Sequence, residues 1–291
     1  MRLILALAAG LLALDVPLAA QAPAKHFLWS VTGKTGATAH LVGSLHVLTP
    51  EFYPLPKAID EAFAASKVLI EEVDLDEATD PATALAMVGK AMFTDGRTLD
   101  QVVSKATFEE VRKRAEKTGL PMMAVQRMKP WMVAITLTLP MLREAGFDSK
   151  LGIDQHFFDR AKAAGIAHRG LETIAYQLDR FDGMSPAMQE AMLVTVLNDF
   201  DTQLANVKEM ARAWSAGDTR TIEKELLSAF REAPEIHERL LVERNRNWVP
   251  AIEACLDKNE RCFVVVGAAH LVGPDSLVAM LAKKGYQVQQ K

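Results

Sequence analysis

This sequence of 291 residues is bounded first by what it lacks. It has two cysteines, Cys255 and Cys262, too few for a disulfide scaffold or for a zinc site of cysteines alone. Charge is mixed, with a net of −4 and no basic stripe, which argues against a nucleic-acid partner. No G-x-S-x-G elbow, H-E-x-x-H pair or phosphate-binding glycine loop occurs, so serine hydrolase, zincin and nucleotide-binding readings lack support. Beyond the first two dozen residues no apolar run is long enough to cross a bilayer. No stretch reads as a disordered linker.

The first residues look like a leader rather than part of a fold. Arg2 precedes an apolar run from Leu3 to Leu18, broken by Asp15, and small residues follow at Ala20-Gln21-Ala22 and Ala22-Pro23-Ala24. A short run with small-x-small sites and no stop-transfer flank is the pattern of a secretory signal peptide. The expectation is a leader over 1–24, export to the periplasm or medium, and one domain over 25–291. Cys255 and Cys262, seven positions apart, are expected to pair there, the alternative being two reduced, buried thiols.

Apolar runs predict strands at Ala39–Val42, Lys67–Leu75, Ile166–Leu171, Arg261–Val266 and Gln287–Gln289. Their continuity suits parallel strands covered on both faces. Helical patterns lie between them, over Leu55–Ser66, Pro81–Met92, Leu99–Thr118, Pro130–Ala145, Asp154–Ala164, Pro186–Ala216, Thr219–Phe230, Pro234–Leu256 and Pro274–Lys284. The expected fold is α/β, a mostly parallel central sheet flanked by helices, with a helix-rich middle insertion. Met122, Met123, Met128, Met132 and Met141 cluster in that insertion and read as core filler.

Two segments repeat each other. Val42-Gly43-Ser44-Leu45-His46-Val47-Leu48-Thr49-Pro50 and Val266-Gly267-Ala268-Ala269-His270-Leu271-Val272-Gly273-Pro274 share V-G-x-x-H, two apolar residues, x and proline. Each sets one histidine past the carboxyl end of an expected strand, where open α/β sheets bind ligands. One G-x-x-H is a weak signal; two matched copies suggest a divided metal or catalytic site.

Carboxylates and an arginine join them. Glu71 and Glu72 interrupt an apolar strand and need a cation or hydrogen bonds if covered. Glu172 follows the next strand, where it also suits a helix first turn. Arg244 falls on the helical face of Leu241, Trp248, Ile252 and Cys255, and a buried arginine demands an anion. Asn245 flanks it. Asp154 reads most simply as a helix N-cap, and His156 and His168 as surface or packing residues.

In this order and spacing the motifs resemble the TraB/GumN family, related to Tiki proteases and more distantly to erythromycin-esterase and ChaN-like proteins. The resemblance runs over nearly all of 25–291. It includes Gly43 to His46, Glu72, Lys129-Pro130-Trp131, Leu151-Gly152-Ile153-Asp154, Gly170-Leu171-Glu172-Thr173 with Gln177, Arg244-Asn245 with Trp248, Gly267 to His270, and Gly285-Tyr286-x-Val288. The Tiki relatives imply a metal-dependent peptidase with His46, His270 and Glu72 as ligands, the acid being the glutamate before x-D-φ. Mixed imidazole and carboxylate donors suit Zn, Mn or Co. Glu72 or Glu172 would take the proton, with Arg244 and Asn245 steadying the oxyanion. The substrate would be a peptide or small molecule. A metal-free esterase-like hydrolase and a non-catalytic binder of a peptide or haem-type ligand are the alternatives.

Overall fold

The computed structural model describes residues 25–198, 202–228, 230 and 233–291. The expected leader lies outside the described residues. The architecture is α/β: a six-stranded mixed sheet with helices on its faces. The strands are β1 (Leu28–Thr32), β2 (Thr38–Ser44), β3 (Val68–Glu71), β4 (Ala167–Gly170), β5 (Cys262–Gly267) and β6 (Gln287–Gln290). Their spatial order is β4-β3-β5-β2-β1-β6. The run from β4 to β2 is parallel throughout, so four strands present their carboxyl ends at one edge.

The strand β1 was not expected. It forms an antiparallel hairpin with β2, closed where Gly33 N–H donates to the Ala37 carbonyl at 2.8 Å, and β6 adds antiparallel to its other side. Both additions lie beyond β2, away from the parallel edge. Strand β3 stops at Glu71, earlier than expected, because the chain leaves the sheet there.

The β5 strand is the most deeply covered, with Cys262 to Val266 all buried. Phe63, Phe157 and Phe263 pack on one face of the sheet, which anchors the helices Lys57–Ala65 and Ile153–Ala164. Trp248, Ile252 and Cys255, from the helix Glu243–Asp257, are fully or almost fully buried in the same core. Cys255 joins Cys262 in a disulfide with Cα atoms 6.4 Å apart, pinning that helix to the start of β5 as expected.

The helix-rich middle has its own apolar cluster, built on Leu99, Val111, Val133, Leu137 and Leu193. Met122 and Met128 pack against it, whereas Met123 is 76% exposed, so the methionine group is core only in part. Several long helical patterns divide. A 3-10 turn at Leu99–Gln101 precedes a helix over Lys105–Thr118, capped by the Ser104 hydroxyl accepting from Thr107 N–H. Pro186–Ala216 becomes two helices, Pro186–Asn198 and Gln203–Ser215. Pro234–Leu256 contains a π-helical turn at Glu238–Val242, a feature frequent near functional sites. The helix Ile174–Asp182 has no counterpart among the expected helical spans, although Glu172 as a first-turn acid points to a helix there. Among the described residues no helix is long and apolar enough to cross a membrane.

Candidate functional site

The two G-x-x-H segments follow adjacent parallel strands and deliver their histidines to the same edge. His46 lies in the loop after β2; His270 lies in the 3-10 turn Ala268–Leu271 after β5. Glycine is required at the first motif's start, since a Cβ on Gly43 would run into the Phe27 ring. Glu72 immediately follows β3, and Glu172 follows β4 just ahead of the helix Ile174–Asp182. Four parallel strands thus each contribute one of these residues.

Arg244 is the hub. Its Nη2 donates to Glu72 Oε2 at 2.5 Å and to Glu172 Oε1 at 2.7 Å, and its Nε reaches Glu172 at 3.0 and 3.2 Å. Its Nη1 donates to the Leu240 carbonyl, inside the π-helical turn, at 3.0 Å. The guanidinium also lies over the Trp248 ring, 4.5 Å from its centroid. The anion that the buried helical face demanded is therefore a pair of carboxylates. Glu172 is no ordinary first-turn acid: the Thr173 hydroxyl caps that helix, while the Glu172 carboxylate also accepts from Trp248 Nε1 at 2.9 Å.

The second histidine is fixed by Asn245. Asn245 Nδ2 donates to the Asp275 carbonyl at 2.8 Å, so its Oδ1 faces His270 Nδ1, 2.6 Å away, and accepts. His270 then carries its proton on Nδ1 and a lone pair on Nε2, which receives Arg244 Nη1 at 3.2 Å. Burial pushes His270 down to about 3, with Arg244 and His46 adding to the effect against Glu72. It is a neutral imidazole.

Glu72 is ionised. Burial opposes this, but Arg244, His270, His46 and the Gly267 N–H together hold its carboxyl at about 2. Gly267 N–H donates to Oε1 at 2.7 Å, and Gln177 Nε2 donates to Oε2 at 2.9 Å. Glu172 moves the other way, raised by burial and by the neighbouring Glu72 charge. One arginine thus separates two carboxylates by environment.

His46 has a different setting. Its Nδ1 lies 2.8 Å from Asp154 Oδ2, and that carboxylate raises the imidazole above its ordinary value. The ring is 69% exposed, so solvent screens the pair considerably. Asp154 is not the N-cap expected; Gly152 holds that position, and Asp154 uses its first-turn place to reach His46. Gly152 itself must lack a side chain, because a Cβ would strike the His46 carbonyl. His156 keeps a packing role, against Tyr53 and Phe157.

A pocket of about 280 Å³ opens here, lined by His46, Glu71, Glu72, Asp154, Gln155 and Gln177 among others. Glu71, the last residue of β3, lines the same pocket as Glu72. Burial pushes Glu71 up to about 9, with Asp154, Asp74 and Asp159 adding to it.

The model of the TraB/PrgY/gumN family matches residues 27–290. The chain belongs to that family. It is also similar to the uncharacterized protein YbaP of Shigella flexneri and of Escherichia coli (strain K12), 22% identical to each over 259 residues, covering 88% of this chain and 93% of each relative. No solved structure matches.

Metal-ligand chemistry is present in two ways. Among the described residues, groups with ligand atoms within 4.8 Å of one another are Asp74, Asp76 and His168, and Cys255, Glu260 and Cys262. In the second the sulfurs are already joined to each other. In the first, Lys162 Nζ sits 2.6 Å from Asp76. His46, Glu72 and His270 are not so tightly gathered, yet their donor chemistry fits a transition ion: an ionised carboxylate and two imidazoles whose Nδ1 atoms are tied to side-chain oxygens. Arg244 holds Glu72 Oε2 and His270 Nε2 and would have to exchange those two bonds.

Proposed function

We propose that this protein is an exported hydrolase of peptide bonds, acting in the pocket of His46, Glu72 and Gln177, with His46, Glu72 and His270 as ligands of Zn, Mn or Co. The supporting observation is the matched tethering of the two histidines. Each Nδ1 meets a side-chain oxygen, Asp154 for His46 and Asn245 for His270, leaving Nε2 as the donor. Such outer partners fix ring orientation in metal-binding histidines. A bound ion would supply Lewis-acid polarisation and a water acidic enough to ionise near neutrality.

The rest of the chemistry belongs to the chain. Glu172, Trp248 and the Leu240 carbonyl keep Arg244 in place when its bonds to Glu72 and His270 are exchanged. The freed Nη1 and Nη2 then donate to an oxyanion. Glu172, raised by burial, is the carboxylate suited to take and return a proton. Gln177 orients Glu72. Export is supported by the leader-like 1–24 and agrees with the disulfide.

A metal-free hydrolase is the second reading, favoured by the bonds that Arg244 makes to both proposed ligands. The test is a peptide-library digest read by mass spectrometry, with Zn, Mn or Co added or with chelator. Cleavage that needs the ion and disappears in Glu72→Gln supports the first reading. Cleavage that survives chelation supports the second, and no cleavage under any condition contradicts both.

A further inference from the structure

A cavity of about 600 Å³ lies outside the site and shares no lining residue with its pocket. The helices Thr219–Ser228 and Pro234–His237 line it, together with Pro274. Leu227, Phe230, Pro234 and Pro274 make its wall largely apolar. The Phe230 ring meets the His237 ring, with centroids 5.5 Å apart. Gly273, at φ +83°, lets the chain after His270 pass close to the first of these helices, since a Cβ there would strike Leu227. His237 adjoins the π-helical turn whose Leu240 carbonyl holds Arg244, and Pro274 adjoins Asp275, whose carbonyl orients Asn245. The cavity thus borders two supports of the site without containing any residue of it.

The charged groups of the wall are Arg220, Lys224 and Glu223, two cations against one carboxylate. Lys224 is 74% exposed and pairs with Glu225 at 3.0 Å. Arg220 engages Asp218 through its backbone N–H, and its guanidinium makes no ion pair or hydrogen bond among the described residues. A free guanidinium presents a planar fork that matches a carboxylate. Apart from His237, no uncharged side chain among the described residues of the wall can donate or accept a hydrogen bond. A ligand with amide or hydroxyl groups along its body would lose hydrogen bonds to water there without replacement. The wall therefore suits a hydrocarbon body, and its surplus of one positive charge suits a monoanionic head.

We infer that this cavity binds an aliphatic carboxylic acid, its carboxylate on the Arg220 guanidinium and its chain over Leu227, Phe230 and the two prolines. The guanidinium donates to both carboxylate oxygens, and each methylene removed from water adds about fourfold in affinity. Head and chain are both needed: a neutral head leaves Arg220 unanswered, and a short chain leaves the apolar wall wet. The site stands apart from the hydrolase reading and does not depend on it.

The test titrates octanoate, octanamide and butanoate into the wild-type protein and into Arg220→Gln, by calorimetry near neutral pH. Octanamide keeps the chain and lacks the charge, whereas butanoate keeps the charge and loses half the chain. Wild type is expected to bind octanoate about tenfold more tightly than either. Arg220→Gln is expected to bind octanoate and octanamide alike. In NMR spectra of the wild-type protein, octanoate is expected to shift the ring signals of His237 and Phe230. Equal affinity of wild type for octanoate and either comparison compound, or undetectable octanoate binding, overturns the inference. So does a preference undiminished in Arg220→Gln, or octanoate binding that leaves both ring signals unmoved. The wild-type arms need no variant, so a misfolded Arg220→Gln leaves the question answerable.

Discussion

Asn245 Oδ1 accepts from His270 Nδ1 at 2.6 Å, and this one contact sets which nitrogen of a fully buried imidazole bears the proton. Because Asn245 Nδ2 is occupied by the Asp275 carbonyl, the amide orientation is fixed from its other end. Replacing Asn245 with Ala leaves a buried N–H without an acceptor. The expected cost is about 1–3 kcal/mol of stability, read by urea denaturation. Asn245→Asp is expected instead to raise the His270 pKa, visible in an NMR titration, because a charge then faces Nδ1.

Arg244 bridges two carboxylates whose side chains are 10% and 5% exposed, for Glu72 and Glu172 respectively. Arg244→Met strands both charges in the interior. It is expected to destabilise the fold by about 3–5 kcal/mol. Arg244→Lys is expected to recover little, since one ammonium cannot reproduce the fork that meets Glu72, Glu172, Leu240 and His270 together. Thermal or denaturant unfolding of the two variants side by side checks this.

Acid and alkali act on different residues. Glu72 drops from an ordinary 4.5 to about 2 on folding, so its stabilisation is complete above 4.5 and is lost as pH falls toward 2. His270, ordinarily 6.5, falls to about 3, so the unfolded chain binds the extra proton between those values and stability also declines as pH falls through them. Glu71 has the opposite sign. Raised from 4.5 to about 9, it favours the folded state most below 4.5, and that contribution is lost as pH rises to about 9. Stability is therefore expected to fall on both sides of a mid-range optimum. Glu71→Gln should reduce the alkaline loss without abolishing it, because His46, raised from 6.5 to about 9, also loses its contribution as pH rises; denaturation midpoints from pH 5 to pH 9 measure both.

The site residues that could be read from the sequence were those with a local signature. His46 and His270 came from a duplicated motif behind apolar strands, and Arg244 from its place on an apolar helical face. Their meeting at one edge followed from parallel strands sharing a direction. Asp154 was misread because the N-cap explanation is local and sufficient, whereas its partner lies 108 positions away. The different fates of Glu72 and Glu172 were not legible either, since they depend on how one guanidinium divides its donors. In the fold, β1 went unnoticed because Leu28–Thr32 gains its strand character from pairing with β2 and β6 at once. The breaks at Ser104 and in the π-helical turn lie inside continuous helical periodicity, and caps and local hydrogen bonds decided them.

The disulfide between Cys255 and Cys262 closes a short loop between the helix that carries Arg244 and the strand that leads to His270. Opening it by Cys255→Ser with Cys262→Ser is expected to cost about 2–3 kcal/mol by chain entropy. The same double variant should retain the Arg244 contacts, because Trp248 and Ile252, fully buried on the same helix, also hold it in the core. Unfolding curves with and without reductant, for wild type and variant, check both statements.

The central claim is that two tethered histidines and Glu72 hold a catalytic ion. Its most direct test is elemental analysis of the purified protein after exposure to Zn, Mn or Co and removal of excess, with wild type beside His46→Ala/His270→Ala. The account predicts about one equivalent of one of these metals in wild type and loss of it in the double variant. Metal retained in full by the double variant, or none bound by wild type with any of the three ions, would contradict it.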